Sequence, residues 1–351
     1  MLKSLKRFAL GTFKTFGLFR LSAGSGWRRR RLVILCYHGV SIDDEHEWDP
    51  QLYISSTLFE QRLRLLRDGG FNVLTLKEGL ERLYNGTLPA KSVVITFDDG
   101  DFDFYARARP LLRKYQFPAT VYLTTFYCHH HRPVFRLFAS YLLWKARATF
   151  AGGPLLDLDG VFELASEAGR SRALDAIERY ATENRLPLAE RDALLERLAG
   201  QLGLPYQTLI SRRILQLMTP QEVSCLAADG IDVQLHTHRH RTPLDRDLFI
   251  REIVDNRIEI QEMTHVNPAH FCYPCGVYRD EFLPWLEQQG VLSATTCEPG
   301  LATRSSHPLL LPRVVDHCNF SSLELEGWLV GLGALLPRRS INRAGNPAVQ
   351  A

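Results

Sequence analysis

Two adjacent carboxylates, Asp98 and Asp99, stand where the apolar run Ser92-Val93-Val94-Ile95 passes through Thr96-Phe97 towards Gly100. A short unbroken apolar run closed by a turn signal predicts a strand covered on both faces, and neighbouring carboxylates at its end repel unless a cation divides their roles. A metal ion is the simplest such cation. Further along, Ile231-Asp232-Val233-Gln234-Leu235 also reads as a strand and runs straight into His236-Thr237-His238-Arg239-His240. Asp99, His236 and His240 would then make a two-histidine, one-carboxylate metal site with room left for water. If residues 236 to 240 turn helically, positions i and i+4 share a face, so His236 and His240 converge while His238 points away. A continued strand would aim all three the same way, but Leu235 before them and Pro243 after them favour a strand that ends here. The plainer role, histidines that only satisfy buried polar groups, fits poorly with the carboxylate pair upstream. His129-His130-His131 reads differently, as an exposed or groove-lining cluster rather than a metal ligand set.

Cys272-Tyr273-Pro274-Cys275 offers two further readings. Half of a structural zinc site would need a second cysteine pair at ligand spacing, which the chain lacks. A redox pair would need its first cysteine at a helix amino terminus after a strand, whereas Gly276 and Tyr278 arrive before any helical pattern. The seven cysteines are odd in number and scattered, with Cys36, Cys225 and Cys297 inside apparent strands or helices, which predicts reduced, buried thiols rather than a disulfide framework.

In these residues the chain resembles the polysaccharide deacetylases of carbohydrate esterase family four, the chitooligosaccharide deacetylase homology group. Thr96-Phe97-Asp98-Asp99-Gly100 matches the first motif without change, and His236, Thr237 and His240 match the second, His-Ser/Thr-x-x-His. The third motif is degenerate: Cys272 stands at an arginine position and Cys275 at a tyrosine position. The likeness spans residues 32 to 125 and 216 to 320. It implies a distorted (β/α)7 barrel and a hydrolase that removes N-acetyl groups from the amino sugars of a polysaccharide or lipid-linked saccharide. It also implies a divalent metal, zinc above others, on Asp99, His236 and His240, with Asp98 taking a proton from water and the backbone N–H of Cys275 facing the developing oxyanion. The acid that protonates the leaving amine is a strand-end histidine in the family. In a permuted branch the corresponding strand comes first, which selects His38 in Leu35-Cys36-Tyr37-His38, with His317 in reserve. Cys272 cannot orient the catalytic aspartate as the missing arginine would, and Arg313 is the expected substitute, with an ordinary surface arginine as the alternative. Other functions would be a catalytically silent carbohydrate-binding relative, which should have lost Asp98 or a ligand, or a zinc or thiol redox protein built on Cys272 and Cys275.

The elements that must position these groups alternate from Leu32 onward in the pattern of an α/β fold with a parallel sheet. Strands are predicted near 33–38, 71–76, 93–98, 119–124, 231–235, 269–274, 291–297 and 309–315. A capping box from Thr57 to Glu60 opens a helix ending at Gly69-Gly70, and a second, Thr219-Pro220-Gln221-Glu222, restarts the barrel. Between them, residues 126 to 215 carry helical patterns without a strand, so the expected organisation is a basic segment 1–31, barrel 32–125, helical insertion 126–215, barrel 216–320 and a C-terminal helix and tail 321–351.

The remaining signal lies at the amino terminus. Leu5, Phe8, Phe13, Phe16 and Phe19 recur at near-helical spacing, while Lys3, Lys6, Arg7, Lys14 and Arg20 interrupt every apolar stretch. No run approaches the roughly 18 residues of a spanning helix, and Lys14 and Arg20 break the run of about 7 to 15 that a secretory signal needs. An interfacial helix followed by Arg28-Arg29-Arg30-Arg31 would suit an anionic cytoplasmic leaflet, and a helix packed on the barrel or a partner is the alternative. The expected location is cytoplasmic, peripheral on the inner face of the membrane. With a net charge of only +3, the 351-residue chain has no broad basic face for nucleic acid.

Overall fold

The computed structural model describes residues 2–337. Seven parallel strands form its centre: β1 (Arg31–Tyr37), β2 (Ser92–Phe97), β3 (Thr120–Leu123), β4 (Asp232–Leu235), β5 (His270–Cys272), β6 (Ser293–Pro299) and β7 (Leu311–Val315). Each pairs with the next, and β1 pairs with both β2 and β7, so the sheet closes into a barrel. The ring is distorted because β3 meets β2 only at Thr96 and Phe97, and the lower half of β2 takes the short strand Asn72–Leu74 instead. That short strand is what the predicted element at 71–76 becomes. Ala302–Thr303 adds antiparallel to the start of β1.

Burial on both faces follows from the parallel arrangement. Val33, Leu35, Tyr37, Ile95 and Phe97 pack outward under the surrounding helices. Ile34, Val94, Tyr122, Cys272 and Leu311 belong to a separate cluster that fills the barrel. Helix Leu76–Asn85 adds Leu76, Leu80 and Leu83 to that cluster, three residues at helical spacing. The insertion contributes helices Phe135–Lys145, Glu167–Glu183, Leu188–Gln201 and Tyr206–Ser211, which enclose a second core around Phe138, Leu142, Ile177, Leu194 and Leu198.

Of three local expectations, two need correction and one holds. The N-cap of helix Ser56–Asp68 lies two residues before that of the predicted box: Ser55 is the extended N-cap whose hydroxyl accepts from the Leu58 N–H, and Glu60 binds Lys114 instead. The second box is present, Thr219 and Glu222 bonding each other's backbone N–H. The thiols are only partly buried: Cys36, Cys128 and Cys272 lie inside, while Cys275 is exposed and the others intermediate, with no disulfide among them.

At the amino terminus, helix Leu2–Thr15 packs against helix Ser322–Leu329 through Leu10, with ion pairs from Arg7 to Glu324 (3.0 Å) and from Lys14 to Glu326 (2.6 Å). The predicted surface cluster at 28–31 is also not wholly at the surface. Arg28 is fully buried and donates to the carbonyls of Leu329, Arg31 and Ser92, so its buried guanidinium is hydrogen-bonded, and Arg31 lies over the Trp27 ring. The apolar stripe is divided. Phe19 turns inward, while Leu5, Phe8, Phe16 and Leu21 are exposed. None of the described helices is long and apolar enough to cross a membrane. The tail expected beyond residue 337 lies outside the described residues.

Candidate metal centre and catalytic site

The carboxyl ends of the strands and the loops that leave them bring Asp98, Asp99, His236, His240, His38 and Arg313 together. β2 ends at Phe97, and the chain turns sharply, with Asp99 (φ 70) and Gly100 (φ 90) both left-handed. Gly100 has no alternative, since a Cβ there would stand 2.2 Å from the Leu123 side chain. This turn sends Asp98 into the barrel mouth, 3% exposed, and leaves Asp99 at its rim.

The two histidines converge on Asp99, though by a route other than a helical turn. After β4 the chain bends, with Thr237 (φ 64) and His240 (φ 55) left-handed, which brings the His236 and His240 rings to 5.0 Å. Both Nε2 atoms face the same carboxylate oxygen, Asp99 Oδ1, at 3.2 and 3.1 Å. His236 Nδ1 lies 2.8 Å from the Cys272 carbonyl, a bond that requires the proton on Nδ1 and leaves the Nε2 lone pair for a ligand. Asn256 fixes the same segment, accepting from the His236 N–H and donating to the Leu123 carbonyl. His238 points away and bonds Thr125 Oγ1 at 2.9 Å. One carboxylate and two imidazoles within 4.8 Å of one another are a donor set suited to a divalent ion. No group of possible metal ligands among the described residues includes Cys275.

Asp98 is held by a different partner. Arg313, fully buried on β7, donates from Nη1 to Oδ1 and from Nη2 to Oδ2, both at 2.7 Å, so it is not a surface arginine. The guanidinium is itself oriented by the Thr296 carbonyl and Thr96 Oγ1. Cys272 does not replace the motif arginine, but its Sγ lies 3.1 Å from Arg313 Nη2 and 3.4 Å from Asp98 Oδ2, and Cys36 Sγ lies 3.6 Å from the same oxygen. Burial pushes both thiols up, which keeps them protonated. Burial, the largest single influence, would raise the Asp98 carboxyl, but the Arg313 charge and hydrogen bonds together with His38 and His236 outweigh it, and the pKa falls to about 2.

His38 follows β1 directly and places Nε2 3.8 Å from Asp98 Oδ2, with Cys36 in the same cluster. His317 lies elsewhere on the rim, Nδ1 3.1 Å from the Pro50 carbonyl and its ring against Phe320. Cys275 sits in the turn Pro274–Gly276 after β5 with a left-handed backbone (φ 55).

Sequence reasoning passed over several buried groups. Tyr37 donates to Asp316 Oδ2 (2.9 Å), and Arg62 donates to both Asp316 oxygens, a network that anchors the end of β1 next to His38. Burial, only partly offset by Arg62, raises Asp316 to about 6. Asp101 and Asp103 are also buried; burial and the Asp99 charge raise Asp101 to about 8, and burial with the Asp101 charge raises Asp103 well above its ordinary value. Four aspartates within six residues at the end of a mostly apolar strand was the available signal for this last pair. Nothing near Arg62 marked it as more than a helix-surface arginine.

A closed seven-strand β/α barrel with a carboxylate, two histidines and a buried Asp–Arg pair at its mouth defines a class of hydrolase. The polysaccharide deacetylase family model matches residues 85–145 and 176–294, together about half of the chain, and the protein belongs to that family. It is a hydrolase acting on the amide C–N bond of N-acetylated saccharides. The YxkH protein of Bacillus subtilis is 23% identical over 287 residues, 81% of this chain and 71% of that protein. A poly-beta-1,6-N-acetyl-D-glucosamine N-deacetylase of Staphylococcus aureus is 40% identical over 72 residues, 20% of this chain and 25% of its own. Among solved structures, the deacetylase PplD of Streptococcus pyogenes has a TM-score of 0.55 at 21% identity, covering 83% of this chain and 94% of that one. IcaB from Ammonifex degensii has a TM-score of 0.56 at 19% identity, covering 86% and 97%. Both likenesses bear on the fold.

The geometry places the two aspartates differently, Asp99 facing both histidines and Asp98 paired with Arg313. Asp99→Ala and His236→Ala are expected to lose a bound divalent ion measured by mass spectrometry of purified protein, whereas Asp98→Asn and Cys275→Ser should retain it. Equal loss in Asp98→Asn and Asp99→Ala would contradict the division.

Proposed function

We propose that the protein is a zinc-dependent N-deacetylase whose substrate is a polymer of N-acetylglucosamine. The observation that carries this reading is the split between the two aspartates: Asp99 shares one oxygen with His236 and His240, while Asp98 is held apart by Arg313. The substrate comes from the short, 40% identical match to a poly-beta-1,6-N-acetyl-D-glucosamine N-deacetylase. Asp99, His236 and His240 would hold the ion, which supplies Lewis acidity that activates water and polarises the acetyl carbonyl.

The chain's own groups then divide the remaining work. Asp98, kept ionised by Arg313, accepts the proton of the attacking water. Negative charge develops on the carbonyl oxygen, where the Cys275 N–H is assigned as a donor. The C–N bond breaks as the nitrogen takes a proton from His38, which is favoured over His317 because it shares the Asp98 cluster. A silent binding relative is not favoured, since neither Asp98 nor a ligand has been lost.

We also assign the exposed residues Leu5, Phe8, Phe16 and Leu21 to an anionic membrane surface, with Arg20, Arg29 and Arg30 as the exposed cations beside them. A cytoplasmic, peripheral location goes with that assignment, and free thiols suit a reducing compartment.

Three measurements test these roles. Arg313→Met leaves burial as the main influence on Asp98, which raises its pKa, so the acid limb of the kcat/KM profile should move to higher pH and part of the activity should return as pH rises. An unmoved limb would remove Asp98 as the base. His38→Ala should lower kcat for amide hydrolysis by about 10² to 10⁴, yet largely spare an activated aryl acetate ester, whose leaving group needs no proton. The same selective defect in His317→Ala, with His38→Ala near wild type, would reassign the acid. Finally, Phe8→Glu with Phe16→Glu should abolish flotation with anionic vesicles, and wild-type flotation should weaken with salt. Equal flotation of the double variant would refute the membrane assignment.

A further inference from the structure

The helical insertion contains a cavity of about 590 Å³ that the deacetylation chemistry does not use. Its walls are the loop His130–Pro133, helix Leu188–Gln201 and helix Tyr206–Ser211. Ala189, Asp192, Ala193 and Glu196 recur on the first helix at helical spacing, so one whole face of it is turned to the cavity. That face is not apolar. Asp192 is paired with Arg132, Glu196 accepts from Gln207 Nε2 at 2.9 Å across the two helices, and His130 completes the polar rim. Tyr206 supplies an aromatic ring, held edge-to-face by Phe138 of the insertion core.

Two physical links join this cavity to the catalytic mouth. The Phe126 ring packs against His130 on one side (4.9 Å) and His238 on the other (5.6 Å), and His238 lies in the loop between His236 and His240. In addition, Pro133 on the cavity wall bridges to Gln216, whose carbonyl accepts from Phe102 N–H at 2.8 Å and whose neighbour Leu217 bridges to Asp101, two residues beyond Asp99. The cavity is therefore built onto the same loops as the site. A single sugar needs only the mouth, whereas a polymer must lay its flanking units somewhere, and a ring beside mixed donors and acceptors matches hydroxyl-rich sugars, each hydroxyl of which both donates and accepts.

We propose that the cavity between His130–Pro133 and the helices carrying Glu196 and Tyr206 is a subsite for sugar units flanking the one that is deacetylated, so that the insertion sets a preference for long chains. This rests on the N-deacetylase reading above, and the test keeps the two apart. Ala193 is an exposed residue on the cavity wall, so Ala193→Trp projects a bulky ring into the space and obstructs it without disturbing a core. A second variant, Glu196→Ala with Gln207→Ala, removes polar partners at exposed positions.

Calorimetric titration of the full chain carrying Asp98→Asn, which blocks turnover in the proposed mechanism, would use β-1,6-linked N-acetylglucosamine dimer, tetramer and hexamer. Affinity should rise with length, and Ala193→Trp should bind the hexamer as weakly as the dimer. The double variant should lose about tenfold on the hexamer, the scale of one net hydrogen bond. In otherwise wild-type protein, both cavity variants should hydrolyse an aryl acetate normally. A hexamer that binds no tighter than the dimer, or equally well to Ala193→Trp, overturns the subsite. Absence of aryl acetate and oligomer hydrolysis in the wild type, with length-dependent binding intact, would instead remove the deacetylase reading and leave the subsite standing.

Discussion

The Asp98–Arg313 pair is the interaction on which the site turns. Both partners are buried in a barrel whose other contents are Ile34, Val94, Tyr122 and Leu311, and a lone charge there would be costly to bury. The bidentate geometry returns much of that cost, because two parallel N–H bonds satisfy both carboxylate oxygens. It also fixes the arginine, whose remaining donors reach Thr96 on β2 and Thr296 on β6. One guanidinium thus links three strands of the ring. The thiols of Cys36 and Cys272 suit this setting: they are small, protonated by burial and weak donors, so they fill space around the carboxylate without competing with Arg313 for it.

Asp316 repeats the same device on the outside of the barrel. Arg62 and the Tyr37 hydroxyl converge on it, and its own N–H bonds the Cys36 carbonyl on β1. The end of β1 is thereby held from both faces: Cys36 faces the Asp98 pair and Tyr37 faces Asp316. His38, the next residue, inherits its position from these two ion pairs. Closure of the ring gives this a topological consequence. Because β1 pairs with β7 as well as β2, a strand moved from one end of the chain to the other keeps its neighbours, so a strand-end histidine can be supplied from either end of the sequence.

Much of this was legible in the sequence where chemistry and local pattern coincide. The Asp98-Asp99 pair after a continuous apolar run, and His236 and His240 after a second one, were readable because a buried strand must end where charge begins. The helices between residues 126 and 215 were readable because the strand–helix alternation stops there. Arg313 was singled out as a replacement for the motif arginine, though nothing local separated it from a surface arginine, since its partner lies 215 residues away. Arg62 and Asp316 were illegible for that same reason. The amino-terminal stripe misled differently: periodicity suggests that Phe8, Phe16 and Phe19 share one helix, but Phe16 falls in the turn that separates helix Leu2–Thr15 from helix Leu18–Gly24, and of the three only Phe19 is buried.

The route by which the histidines converge was the least accessible feature, because it depends on backbone strain. Asp99, Thr237, His240 and Cys275 all have positive φ, and none is glycine. Non-glycine residues in that region cost of order 1 kcal/mol or more each, and they persist only when their surroundings over-determine them. Here they do. The Asp99 carbonyl accepts from Thr124, Thr237 Oγ1 accepts from the Arg241 N–H, and the His238 backbone bonds both Phe126 and Glu252. Glu252, buried, also takes the Arg239 N–H and the Arg241 guanidinium. A helical turn would have relieved the strain, but its side chains would be fixed at one rise and rotation per residue. The left-handed bend, locked by its neighbours, sets His236 and His240 independently, which is how two Nε2 atoms come to face a single carboxylate oxygen.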